Sequence, residues 1–256
     1  MTPSPQRFRA YLARLGWHGP AHPDAATLTA LHQRHLAVIP FENLDIGAGR
    51  PIVLDPAALV AKVAEPPRGG ICYELNGAFA TLLEYLGYSV TLLSGGVYSS
   101  AREAFGPEFD HLVLRVEGEG IWLVDVGFGD GFRFPLRADS VEPQIQPLAT
   151  FRLRDDGTWT ILERRSGDGW KPDYRFTWTP RRLADFDAMC RFHQTSGESH
   201  FTRGDYLMRA LPDRTIRLRR DQLRVSVGIR TVREAVLESE DAWVGFLRRW
   251  FGIESP

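Results

Sequence analysis

Two residue types are scarce in this chain of 256 residues, and a third feature is missing altogether. Cysteine occurs only at Cys72 and Cys190, far apart and without a CxxC companion. That leaves no disulfide framework and no cysteine-rich zinc site, and it makes a reducing cytoplasm the natural setting. Lysine occurs only at Lys62 and Lys171, the other basic residues being arginine; codon bias of the source is a simpler account of that than function. No apolar run is long enough to span a membrane, and Met1 to Trp17 lack the apolar core of a secretory signal. The formal net charge is −1, so no basic surface advertises nucleic acid and no acidic tail advertises a basic partner. There is no repeat and no low-complexity segment. His32 and His35 lie one helical turn apart, but a pair without a third ligand nearby reads as structural or solvated rather than as a metal site.

What the sequence does have is the stretch Arg68-Gly69-Gly70-Ile71-Cys72-Tyr73-Glu74-Leu75-Asn76. Pro66 and Pro67 before it cannot continue a helix, and the two glycines permit a tight, close-approaching backbone. From Cys72 onward Leu75, Phe79, Leu82, Leu83 and Leu86 recur at helical spacing, and Gly87 stands where a helix C-terminus is capped. Cys72 thus falls in the first turn of a helix and on its inward stripe. Free backbone N–H groups and the helix dipole there favour an anion, the setting of a reactive cysteine. Cys190, beside Met189 and Phe192, has no glycine-rich approach and reads as a packed thiol.

Along the chain, residues 6–40 read as helical: one helix closes at Gly16, Asp24 caps a second, and Pro40 stops it. Pro40 to Asp45 reads as an irregular loop, followed by a short helix from Asp55 to Ala64. After Gly87 the pattern becomes strand-like. Ser89 to Tyr98 is interrupted by Gly95-Gly96; His111–Val116 and Ile121–Val126 form a hairpin; Phe151–Leu153 and Trp159–Arg164 form another; Tyr174–Thr179 is one more strand. Helices are expected at 181–195 and 231–250, with strands near 214–218 and 223–228. The division is helical for 1–87, β for 88–185 and α/β for 186–256.

Catalysis by a cysteine needs a base, and the base needs an orienting group. His111 begins one strand of the hairpin and Asp125 lies near the end of the other. If the turn has an odd length, with 116 opposite 120, the two are direct cross-strand neighbours about 5 Å apart on one face. The adjacent Asp110 is expected to point the other way. Asp125, flanked by Val124 and Val126, needs a partner because a lone buried carboxylate is costly. Cys72, His111 and Asp125 are therefore the candidate triad. The glycine-rich loop Val126 to Phe132 suits close passage of a flat ligand, although it has no phosphate-binding spacing. Gln194-Thr195-Ser196-Gly197 is either a helix exit or a substrate loop.

Together, RGGICYELN around Cys72, the strand from His111, Val124 to Gly129, Ile39 to Leu44 and the Thr195–Phe201 segment resemble the arylamine N-acetyltransferases. The likeness runs from about Tyr11 to Ile253. It implies an α+β fold with an N-terminal helical bundle, a central antiparallel β-barrel and a C-terminal α/β lid around a cysteine-protease-like Cys-His-Asp core. It also implies an acyltransferase of xenobiotic metabolism with acetyl-CoA as co-substrate, arylamines, arylhydrazines or N-hydroxyarylamines as acceptors, and no permanently bound cofactor or metal. By the same resemblance Phe41, Val97, Phe128, Gly129 and Phe201 line the acceptor pocket and pantetheine channel. The sequence departs from the family's pattern at Gly197, usually Pro, and in the arginine-rich stretch 211–222. Competing readings are an amide synthase of the same family acting on a polyketide acyl chain, a thiol hydrolase, and a binding protein with a vestigial site.

Overall fold

The computed structural model describes residues 3–254; the outermost two residues at each end of the three-part division lie outside it. The chain opens with α1 (Pro5–Arg14), α2 (Ala25–Val38), the short β1 (Phe41–Glu42), a single turn α3 (Leu44–Gly47), α4 (Pro56–Ala64) and α5 (Cys72–Tyr85). Local chemistry sets these boundaries. The Asp24 carboxylate accepts from Thr27 N–H at 2.7 Å, and that of Asp55 accepts from the N–H groups of Ala57 and Ala58 at 3.1 Å each, satisfying donors at a helix start that have no intrahelical partner. Gly16 and Gly87 follow α1 and α5 with positive φ, as glycine C-caps do. Leu75, Phe79, Leu82 and Leu83 of α5 are wholly buried. The helix is apolar nearly all round because it is central, packed on α4 and on two barrel strands.

The segment leading into α5 is where the backbone comes closest to its neighbours. A Cβ on Gly69 would sit 1.8 Å from the Pro40 carbonyl oxygen, and one on Gly70 would meet the Glu74 carboxylate at 2.5 Å. Only glycine permits this approach. Pro40 to Asp45 is not the irregular loop that its polar residues suggest. Phe41–Glu42 is a strand, and the buried Glu42 accepts from Arg68 Nε at 3.0 Å, Gly69 N–H at 3.1 Å and Leu44 N–H at 2.8 Å. Lys62 bridges Asp45 and Glu74 at 2.6 Å each.

The middle of the chain is an antiparallel barrel. Its eight strands run in the order β6 (Leu136–Arg137), β5 (Gly120–Val124), β4 (His111–Gly118), β2 (Ser89–Ser99), β10 (Gly169–Phe176), β9 (Thr160–Ser166), β8 (Thr150–Asp155) and β7 (Gln144–Ile145), with β3 (Ala104–Phe105) paired to β2. Gly95 and Gly96 do not interrupt β2. They let neighbouring backbone approach, since a Cβ at Gly95 would lie 2.7 Å from Arg175 O and one at Gly96 2.3 Å from Gly106 O. A 3-10 turn (Leu183–Phe186) and α6 (Asp187–Thr195) lead to a second 3-10 turn (His200–Thr202), then to β11 (Tyr206–Ala210), β12 (Thr215–Arg219), β13 (Gln222–Val227), β14 (Arg230–Val236) and α7 (Glu240–Phe251). These four strands form a sheet that β1 completes at the edge beside β11.

Two expectations fail here. Residues 231–236 are a strand rather than the start of a helix, and β11 carried no strand signal. The helix-forming composition of both (Arg, Glu and Ala in β14; Leu, Met, Arg and Ala in β11) is overridden by sheet pairing. Among the described residues no helix is long and apolar enough to cross a membrane.

Two glycine substitutions separate close approach from simple helix propensity. Gly69→Ala is expected to cost about 1–3 kcal/mol through overpacking against Pro40. Gly245→Ala, in α7 with nothing within 4 Å of the added methyl, is expected to gain about 0.5–1 kcal/mol. Thermal or urea denaturation of the two variants reads both signs.

Candidate active site

Cys72 opens α5 and is 4% exposed, His111 opens β4 at 2%, and Asp125 follows β5 at 1%. The hairpin register is set by Gly118 opposite Gly120, Val116 opposite Trp122 and Leu114 opposite Val124. The turn is of odd length, as the spacing required, but the register is displaced by two residues from direct opposition of His111 and Asp125. Continued one step, it sets position 125 opposite Val113. Asp125 is therefore diagonal to His111 on the same face, within reach of a side chain. His111 Nε2 lies 2.8 Å from Asp125 Oδ2, and the imidazole and the Cys72 thiol line one cavity.

Burial by itself would strip the proton from His111. The charge and hydrogen bond of Asp125, with a further contribution from Cys72, overcome this and hold the imidazole's pKa up at about 10. Burial likewise opposes the Asp125 carboxylate, but the His111 charge and hydrogen bonds from His111, Asn76 and Gly127 N–H keep it below the usual range. The pair is thus an imidazolium facing a carboxylate. The His111 ring is packed against Tyr174 at 4.9 Å and Phe128 at 5.5 Å between centroids.

Asn76, in the Cys72 motif, has a role that the local sequence does not announce. It lies one helical turn beyond Cys72 and is wholly buried. Its amide donates to Leu112 O at 2.7 Å and to Asp125 Oδ1 at 2.9 Å, and its carbonyl accepts from Val126 N–H at 2.9 Å. One side chain of the cysteine's helix therefore fixes both the strand of His111 and the loop of Asp125. The signal available in the sequence was an amide at i+4 from Cys72 on a helix otherwise apolar on that face. From the other side, His32 is buried with both ring nitrogens 3.1 Å from backbone carbonyls, those of Arg133 and Asp125. It is structural, braces the Asp125 loop, and has no nitrogen directed to a metal.

A cavity of about 140 Å³ opens on Cys72 and His111, lined also by Phe41, Val97, Phe128 and Phe201. Gly127 lines it where a Cβ would collide with Cys72 Cα at 2.8 Å. Gly129 does not reach it. It sits behind Met208, whose Sδ lies 2.8 Å from the place of a Cβ. Asp110 corrects another expectation: it lines the same cavity as His111, because Phe109 has φ 68° and turns the chain before β4 begins, so strand alternation does not apply. Next to this cavity is an open groove sharing Val97, His200 and Tyr206 with it and bordered by Arg203, Arg217, Arg219 and Arg220. The rest of the glycine-rich loop is anchored away from the cavity, Asp130 accepting from Thr215 Oγ1 at 2.5 Å and pairing with Arg217. Gln194 belongs to a helix exit, accepting from Ile52 N–H at 2.7 Å. Cys190 is a buried thiol pushed up to about 12, first by burial and then by nearby Cys72 and Glu74.

A buried cysteine, imidazolium and carboxylate on these helical and barrel elements belong with a known class of acyltransferase. The sequence model of the N-acetyltransferase family matches residues 24–255. The chain is 36% identical over 205 residues to the arylamine N-acetyltransferase of Escherichia coli K12, covering 79% of this chain and 73% of that protein. The solved arylamine N-acetyltransferase of Salmonella typhimurium superposes with a TM-score of 0.90 at 30% identity, covering 99% of this chain and 93% of the other. That of Mycobacterium marinum, solved in complex with CoA, gives 0.88 at 32% identity over 96% and 93%. The chain belongs to the arylamine N-acetyltransferase family and is an acyltransferase.

Asn76→Ala should remove the side-chain partner of Leu112 O and of Val126 N–H and one of the two hydrogen bonds to Asp125 Oδ1, which keeps that from Gly127 N–H, at about 1–3 kcal/mol for each buried group left unsatisfied. A fall in unfolding free energy of this scale, measured in urea, accompanied by slower alkylation of Cys72, is the expected result.

Proposed function

We propose that the chain transfers an acetyl group from acetyl-CoA, by way of an acyl-cysteine on Cys72, to arylamines, arylhydrazines or N-hydroxyarylamines in the cytoplasm. The helical part (1–87) would carry the nucleophile, the β part (88–185) the histidine and aspartate, and the remainder (186–256) the lid. The observation carrying this reading is the His111–Asp125 contact of 2.8 Å behind a cysteine at a helix start, opening on one cavity. The CoA bound to the M. marinum relative supports the donor.

In the first half-reaction the proton of Cys72 rests on His111, whose charge Asp125 stabilises, and the sulfur attacks the thioester carbonyl. The backbone N–H groups at the very start of α5, at Cys72 and Tyr73, would be the donors to the developing oxyanion. The tetrahedral adduct collapses by breaking the bond to the CoA sulfur, and the imidazolium returns a proton to that leaving thiolate. Acetyl-Cys72 remains with a neutral His111. In the second half-reaction the acceptor nitrogen attacks the thioester, His111 takes its proton, and the carbon–sulfur bond to Cys72 breaks. Donor and acceptor use the site in turn, so ping-pong kinetics follow. The largely apolar wall of Phe41, Val97, Phe128 and Phe201 limits access of water to the acyl-cysteine, which favours transfer over hydrolysis. In the groove Arg217 pairs with Asp130, and Arg220 with Asp205 and Glu240, which leaves Arg203 and Arg219 as the guanidinium groups that suit the phosphates of the donor.

The test is release of free CoA thiol from acetyl-CoA, with and without an arylamine or hydrazine. Acceptor-dependent turnover that falls by about 10³-fold or more in Cys72→Ala is the expected outcome. Ready alkylation of Cys72 with neither turnover nor an acetyl-enzyme would contradict the donor assignment.

A further inference from the structure

The cavity at Cys72 contains a carboxylate for which the acyl-transfer scheme has no use. Asp110 is the only acidic residue among the described residues that line it, and no lysine or arginine does. The left-handed Phe109 sends the chain into β4 so that consecutive residues, Asp110 and His111, face one space. The carboxylate is held in a built setting. Its Oδ2 accepts from Val97 N–H at 3.2 Å, and its Oδ1 lies 3.2 Å from His193 Nε2. His193 is itself buried, with Nδ1 3.1 Å from Ser199 Oγ, which accepts from Phe201 N–H at 3.2 Å. The chain of contacts runs from the barrel through Asp110 to the lid residue Phe201 on the opposite wall.

An ionised carboxylate offers about four lone-pair directions, of which the Val97 N–H hydrogen bond and the His193 contact together take no more than two. The side chain of Asp110 stays 18% exposed. Burial opposes its charge, yet His193, Val97 N–H and His111 together keep it below the ordinary range. His200, also on the wall, is kept from protonating chiefly by burial, so it does not offset that charge.

We propose that Asp110 is a specificity-determining residue of the acceptor cavity, its free lone pairs recognising acceptors whose ring carries a cationic hydrogen-bond donor and disfavouring acceptors whose ring carries a carboxylate. The inference rests on the acyl-transfer reading of this same cavity. A structural role alone would tie the lid to the barrel and affect all acceptors equally. A role in recognition distinguishes acceptors by charge at constant size.

The experiment uses the full chain acetylated with 4-nitrophenyl acetate and two matched acceptor pairs. These are 4-aminobenzylamine against 4-aminobenzyl alcohol, and 4-aminobenzamide against 4-aminobenzoate, each also as the 3-substituted isomer. The arylamide product is quantified by chromatography. In wild-type protein the ammonium over the alcohol, and the amide over the carboxylate, should each be favoured in kcat/KM by about tenfold or more in at least one isomer series, the scale of one charge-assisted hydrogen bond. Both ratios should fall towards one in Asp110→Asn, and because each is taken within one enzyme, general damage to His111 cancels. Wild-type ratios near one, or ratios that survive in Asp110→Asn, overturn the inference. Should that variant not fold, the wild-type ratios decide alone. Acetylation of Cys72 with flat ratios defeats this inference only, whereas failure to acetylate Cys72 defeats the acyl-transfer reading and the inference with it.

Discussion

The contact on which the site depends is the buried ion pair between His111 and Asp125. Either charge alone, in a setting 1–2% exposed, would be driven to its neutral form. Each is kept charged by the other, and the pair is kept together by groups that cannot move independently of the fold. Asn76 holds Asp125 from α5, Gly127 N–H holds it from its own loop at 2.9 Å, and His32 braces that loop from α2. A charged imidazole beside a cysteine at a helix start follows from this. So does the proposed chemistry, since one proton then has only two places to go, His111 and the reacting sulfur or nitrogen.

The same constraint explains why the segment before Cys72 is built as it is. The first turn of α5 must lie against the mouth of the barrel, and the chain entering it passes Pro40 more closely than any residue with a side chain permits. The charges of Glu42, Arg68, Asp45, Lys62 and Glu74 form one network around that passage. One of the two lysines in the chain is thus spent on fixing the approach to the nucleophile. The five-stranded sheet contributes through β1, a strand from the helical part, which brings Phe41 and Met208 to the cavity from adjacent strands.

Much of this was legible before any coordinates. Pro66, Pro67, the paired glycines and Gly87 bracket a helix whose first residue is Cys72, because proline and glycine constrain the backbone whatever surrounds them. Parity of the hairpin was legible too, since side chains alternate with period two, and an odd turn is the only kind that puts His111 and Asp125 on one face. The exact register was not, because turn length is decided by how Gly118, Glu119 and Gly120 pack, not by the alternation. Asn76 was passed over as an ordinary polar residue of a motif; its three partners come from two other elements and have no mark in the local sequence. The exposed edge strand β14 was read as a helix for a similar reason. Its Arg, Thr, Glu and Val residues satisfy a helical pattern, and only pairing with β13 makes it a strand. Asp110 was misplaced by applying strand alternation one residue too early, before the turn at Phe109.

The measurement that tests the central claim most directly is a titration of the His111 imidazole by nitrogen NMR, in wild-type protein and in Asp125→Asn. The account predicts that wild-type His111 remains an imidazolium through neutral pH and loses its proton only near pH 10. In Asp125→Asn, with burial no longer opposed by the carboxylate, the proton should be lost well below that. A wild-type His111 titrating near the ordinary histidine value of about 6.5, or one unchanged by Asp125→Asn, would contradict the ion pair on which the site is built.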